Sequence, residues 1–245
     1  NVVAKYRKVK VQQKSLEPDY TWDITEVVQF WYDFPSAASL HKVLDTLPKW
    51  HRLVQTILRA KVVALFRLDT STRSGDLVGA MFELCNPKIS NWSTARSVTF
   101  QFLNTKEVQL SKNTSPVSDP VRVHQVKPAL NRCSSLLALQ DYVSEMSTEQ
   151  TSETGRSPIF TTMIKPYSAL SSGRLANIFK MSLAACNIRA HPHSARSAST
   201  SALLILGMPV KKIVKHARWT HVGTFMRHYK NDIARMSGLS NVNPA

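Results

Sequence analysis

Two short stretches in the C-terminal third carry the residues best suited to chemistry. His193-Ser194-Ala195-Arg196 sets an imidazole and a guanidinium three residues apart, on one face of a helix near its start. Both can reach one phosphate there, helped by the positive end of the helix dipole. Farther on, the run from Trp219 to Tyr229 supplies an indole N–H donor and a phenol in adjacent segments. Phosphoryl transfer without a metal calls for such parts: a nucleophile, cations for the non-bridging oxygens and an acid for the leaving oxygen.

The surroundings of these residues point the same way. The chain has 245 residues and a formal net charge of +16, from 32 Lys plus Arg against 16 Asp plus Glu. From Ile188 to the end there are nine basic residues and one acid, Asp232, with His191, His193, His216, His221 and His228 among them. Trp219, Phe225 and Tyr229 interleave with these bases, a pattern that suits a polyanion better than a solubilising face. Nucleic acid is the leading partner and an anionic membrane surface the weaker one. With 43% hydrophobic residues the chain can bury a core, which excludes a disordered basic tail. No apolar run approaches the roughly 18 residues of a membrane span, and the N-terminus has no signal-peptide core. Cys85, Cys133 and Cys186 are odd in number and far apart, which excludes a disulfide framework and fits reduced thiols. His191, His193, His216 and His221 lack the spacings of a zinc site, and there is no Gly-rich phosphate loop, so no metal or cofactor is expected. The missing initiator Met implies a piece of a longer chain.

Several elements must hold these groups. Residues 1–24 read as extended and basic. Pro35-Ser36 starts a short helix to about Leu47, and a longer one runs from about Trp50 to Leu68 with Leu53, Ile57, Val62 and Leu65 near one face. Val98, Phe100 and Phe102 alternate with polar residues as a strand. A second strand is expected at Val108–Leu110 and a third at Val121 and Val123. Ser134–Glu145 and Ser172–Cys186 are helical by pattern, as are Pro192–Leu206, Pro209–Ala217 and Val222–Met236. The fold class is mainly α with a small antiparallel β-sheet.

Here the sequence resembles a known family, the tyrosine recombinases. Their C-terminal signature is His-x-x-Arg, then a His or Trp, then a nucleophilic Tyr, and His193, Arg196, Trp219 and Tyr229 follow that order. The local text looks most like the crypton and DIRS-type eukaryotic transposon branch. The family's first Arg follows a long helix and precedes an acid three positions on; Arg73 and Asp76 match. Its Lys sits on the turn of a small sheet, where Lys106 falls, with Lys112 competing. The resemblance spans about Leu40 to Met236. It implies a catalytic domain over 36–236, preceded by a basic extended segment 1–35 from a missing DNA-clamping domain and followed by a tail 237–245.

The resemblance implies DNA strand cleavage and rejoining, in site-specific recombination or integration of a mobile element. Tyr229 would attack the scissile phosphate to give a 3′-phosphotyrosine link. Arg73 and Arg196 would clamp the non-bridging oxygens, Lys106 would protonate the leaving 5′-oxygen, and His193 and Trp219 would support the phosphate. Asp76 would hold Arg73 in place. Because the tyrosyl ester retains the phosphodiester energy, no ATP is needed. Lys211, Lys212, Lys215, Arg218 and Arg227 are expected to track the DNA backbone. The expected partner is double-stranded DNA bound by a homo-tetramer, in the nucleus for a eukaryotic transposon and otherwise in the cytoplasm or nucleoid. Two alternatives stand beside this: a catalytically silent DNA-binding module of the same fold, and a type IB topoisomerase that relaxes DNA at arbitrary sites.

Overall fold

Trp50–Thr70 forms a single helix whose C-terminal half is buried almost all round, from Ala60 through Leu68. A helix without a polar face belongs at the centre of its domain, and the other elements are arranged about it. The computed structural model describes residues 22–44, 50–105, 116–125, 134–151, 157–219, 222–223 and 225–226. In chain order the elements are α1 Ile24–Asp33, α2 Ala37–Leu44, α3 Trp50–Thr70, α4 Ser74–Val78, β1 Ala80–Asn86, β2 Ser97–Phe102 and β3 Val121–His124. They continue with α5 Ser135–Ser144, α6 Ser172–Ala185, α7 Ser194–Ile205 and α8 Val210–His216. The central α3 packs against α1, α2, α5, α6, α7 and β3.

The three strands form one antiparallel sheet in the order β1-β2-β3. On β2 the alternation expected from the sequence holds: Val98, Phe100 and Phe102 are buried and their neighbours are half-exposed. Phe100 meets Phe66 of α3 edge-on with centroids 5.0 Å apart, so sheet and central helix share one apolar seam. Such aromatic contacts add about 0.5–1.5 kcal/mol each to the burial itself. Val98 pairs with Val123 and Phe100 with Val121 across β2 and β3.

Two features depart from expectation. Residues 24–33 form α1, where the sequence places them in an extended N-terminal segment through residue 35. Asp23 caps this helix by accepting from the Thr25 N–H at 2.8 Å, and Val27 and Trp31 are buried beneath it. Strand β1 was not anticipated either, while the strand expected at Val108–Leu110 lies outside the described residues. At the end of α4, Gly79 lies against the end of β2: its carbonyl accepts from the Leu103 N–H at 2.9 Å, and a Cβ there would stand 2.1 Å from the Leu103 carbonyl oxygen.

Candidate active site

The central helix α3 delivers the chain to the loop Ser71–Arg73, and this loop is fixed on both sides. Ser71, at φ 52°, shares a 2.8 Å hydrogen bond with Ser199 of α7 through their hydroxyls. Thr70 and Thr72 share another at 3.0 Å. Arg73 then sits at the N-cap of α4, and its backbone N–H donates to the Asp76 carboxylate at 2.9 Å. The Asp76 side chain, 2% exposed, accepts a second hydrogen bond on the same oxygen, from Arg218 Nη2 at 3.0 Å. One buried carboxylate therefore joins the start of α4 to the end of α8, well over a hundred residues later.

Arg67 ties a further segment to the same loop. Its guanidinium, 1% exposed, donates from Nε to the Thr72 carbonyl at 3.3 Å and from Nη2 to the Pro192 carbonyl at 2.6 Å. Pro192 leads into His193 and α7, which carries Arg196 on its first turn. Arg196 is buried, and its guanidinium carbon lies 5.1 Å from the centre of the Trp219 ring, within cation–π range. Trp219 follows α8 and packs on Phe225 with centroids 5.5 Å apart.

Charge accumulates where these segments meet. His193 is held below its ordinary pKa, first by burial and then by the charges of Arg67, Arg73 and His191. His216 is also held low, first by burial; Arg218 and Arg196 push in the same direction and Asp69 opposes them. Asp69, exposed at the end of α3, accepts a hydrogen bond from the Ser135 hydroxyl and lies near His216 and His124. Both imidazoles are therefore neutral at pH 7, inside a field of guanidinium groups. A field of that sign suits an anion, and planar forks suit the oxygens of a phosphate. Among the described residues no group of three His, Cys, Asp or Glu gathers as metal ligands.

No family model matches the sequence, and no curated protein matches it. Solved structures do match its shape. The XerH site-specific recombinase, in a pre-cleavage complex with its difH substrate, superposes with a TM-score of 0.57 at 10% identity over 95% of this chain. The XerA recombinase superposes with a TM-score of 0.51 at 13% identity over 98% of this chain. The chain spans 56% of the length of that XerH chain and 73% of that of XerA. The fold is that of a tyrosine-recombinase catalytic domain.

Within this recombinase fold, Arg73, Asp76, His193, Arg196 and Trp219 come together from three separate parts of the chain. Lys106, Lys112, Arg227 and Tyr229 lie outside the described residues. Lys211, Lys212 and Lys215 are exposed on α8. Arg218 departs from that set: at 8% side-chain exposure it turns inward onto Asp76, with its guanidinium carbon 5.3 Å from the centre of the Phe102 ring. Its φ of 54° makes the inward turn at the end of α8. Asp76 acts on Arg73 through the backbone N–H at the N-cap and carries its ion pair to Arg218. Two contributors have no role in the sequence pattern, Arg67 and Asp69, and His216 stands there only among the histidines of the zinc set that its spacing rules out. A signal existed for the first, an arginine set among Ala64, Leu65, Phe66 and Leu68 in the apolar half of the helix. No helix among the described residues is long and apolar enough to cross a membrane.

Proposed function

We propose that this chain is the catalytic part of an enzyme that cleaves and rejoins DNA strands through a tyrosyl-phosphate intermediate, serving site-specific recombination or integration of a mobile element. The observation that carries the reading is the convergence of Arg73, His193, Arg196 and Trp219 on one electropositive site, within a fold shared with site-specific recombinases. Tyr229 is the nucleophile in this reading. Its oxygen bonds to the scissile phosphorus, the bond from phosphorus to the 5′-oxygen breaks, and that oxygen takes a proton from Lys106.

A phenol of ordinary pKa, about 10, is protonated at neutral pH, so attack requires an acceptor for its proton. His193 suits that role, because burial and the neighbouring charges of Arg67 and Arg73 keep its imidazole neutral. Arg73 and Arg196 meet the non-bridging oxygens, and the Trp219 indole N–H donates to one of them. Double-stranded DNA is the substrate, the exposed Lys211, Lys212 and Lys215 follow its backbone, and four copies assemble on it. The C-terminal text supports a source among crypton or DIRS-type elements, with action in the nucleus.

The test is a nicked suicide DNA substrate carrying the element's end sequence, resolved on a denaturing gel. A covalent adduct that vanishes in Tyr229→Phe and falls by a hundredfold or more in Arg196→Ala is the expected result. Tight DNA binding with no adduct on any substrate would mean a silent binding module. Relaxation of supercoiled plasmid at arbitrary sites would mean a topoisomerase.

A further inference from the structure

We propose that Arg67 is a positioning residue for this site, a buried fork that locks the backbone leading to Arg73 to the backbone leading to His193. The inference builds on the strand-cleavage reading above. A guanidinium withdrawn from water is costly unless its donors are satisfied, and Arg67 pairs two of its three nitrogens, Nη1 having no partner among the described residues. Arg67 sits on the fully buried stretch of α3, where the neighbouring positions are Ala64, Phe66 and Leu68. Its two hydrogen bonds go to the carbonyls of Thr72 and Pro192, each the residue immediately before a member of the site. The partners lie five and 125 positions away in sequence, so the contact joins segments that the chain itself leaves independent.

The fork is braced from behind. The Arg67 guanidinium carbon lies 4.2 Å from the centre of the Phe179 ring of α6, a stacking distance. Phe179 packs against Trp22 with centroids 6.3 Å apart, and Trp22 Nε1–H donates to Ser194 Oγ at 2.7 Å. Ser194 follows His193, and its hydroxyl donates to the His191 carbonyl at 2.6 Å. The turn that presents His193 is thus gripped from both sides. Burial lowers the Arg67 pKa to about 10 and Asp76 opposes the shift, so the fork remains charged at pH 7. The planar guanidinium reaches the two carbonyls from separate nitrogens set in fixed directions; a lysine has its three donors on one nitrogen and does not span two acceptors so placed.

The test compares Arg67→Lys and Arg67→Met with the wild type in two measurements. The first is the NMR titration of His193 in histidine-labelled protein, assigned with His193→Asn. The charged and titratable groups facing His193 are Arg67 from α3, Arg73 from the loop before α4 and His191 from its own segment. Arg67→Met removes one repelling charge, so the His193 midpoint rises; Arg67→Lys keeps the charge, and the midpoint stays near the wild-type value. The second measurement is the rate of adduct formation on the suicide substrate. Arg67→Lys slows it by about 10–100-fold, as misplacement of reacting groups does, with DNA affinity unchanged.

Adduct formation by Arg67→Lys at the wild-type rate would overturn the proposal, as would an unmoved His193 midpoint in Arg67→Met. Should the Met variant fail to fold, the Lys variant carries the decision. If the wild type itself forms no adduct, the cleavage reading fails, and hydrogen exchange of the Arg73 and His193 segments in Arg67→Lys decides the coupling: faster exchange in both supports it, and unchanged rates overturn it.

Discussion

Half of the candidate site rests on the large core and half on a small one. Arg73, Arg67 and the start of α7 are anchored to the main apolar cluster, which runs from Trp22 through the sheet to Ala198. Arg218 and Trp219 follow α8, whose own cluster is Ile213, Val214 and Phe225 with a few half-buried neighbours. Beside it, Ile205 and Leu206 at the end of α7 are largely exposed, as are Val222 and Met226. The difference teaches where order comes from. On the first side, backbone carbonyls and close-packed rings dictate position. On the second, position draws on bridges across the site, among them the Arg218–Asp76 ion pair, the Arg218 guanidinium over Phe102 and the Arg196–Trp219 contact. Regions with few buried contacts open at lower free energy than the core, so the two halves respond differently when disturbed.

The largest effect is expected from cutting the bridge between them. Asp76→Asn leaves the buried Arg218 guanidinium without its counter-charge, at a cost of about 3–5 kcal/mol. Urea unfolding measures it, and a change under 1 kcal/mol would show that the two halves stand independently. Next comes the small cluster itself. Phe225→Ala removes its fully buried ring and takes about 1.5–3 kcal/mol from the local opening free energy of α8. Hydrogen exchange should accelerate in Val210–His216 while the amides of α3 keep their protection; equal acceleration in both would merge the two regions into one cooperative unit.

Acid comes third. His193 and His216 are both held below the ordinary histidine value. As pH falls below about 6.5 the unfolded chain takes up these protons before the folded one does, so stability decreases there and is fully present above it. His216→Asn should flatten that acid limb in urea melts run from pH 7 down to 5. The smallest effect on folding belongs to the outer face. Changing Lys211, Lys212 and Lys215 together to Gln moves stability by no more than about 0.5 kcal/mol. The salt dependence of DNA binding becomes shallower by roughly one unit for each lysine that meets a phosphate.

Much of this arrangement was legible in the sequence, for physical reasons. The long helix, the strand Ser97–Phe102 and the helices from Ser135 onward have clean periodicities and recognisable ends, such as Ser134 and Ser171, whose hydroxyls accept from the first turns of α5 and α6. Strand β1 was not legible. Its register shifts between Ala80 and Cys85, and that irregularity destroys the period-two signal on which a strand is recognised. Helix α1 was hidden by Val27, Val28, Phe30 and Trp31, residue types that favour strands and that helix packing overrode. For the site, the spacing of His193 and Arg196 and the order of Trp219 reflect local helix geometry and chain order, both of which a sequence displays. Arg67 and Arg218 act through partners distant in the chain, and no local pattern announces a carbonyl or carboxylate waiting across the fold.

Gly79 gives the site an assembly tolerance. Between the end of α4 and the Leu103 carbonyl there is clearance for a hydrogen atom and nothing larger. Position 79 therefore acts as a shim of zero thickness, setting how closely the helix begun by Arg73 abuts the departing edge of the sheet. An alanine there would change no charge and remove no donor. It would wedge the two elements apart, and every group mounted beyond them would arrive displaced by the same amount.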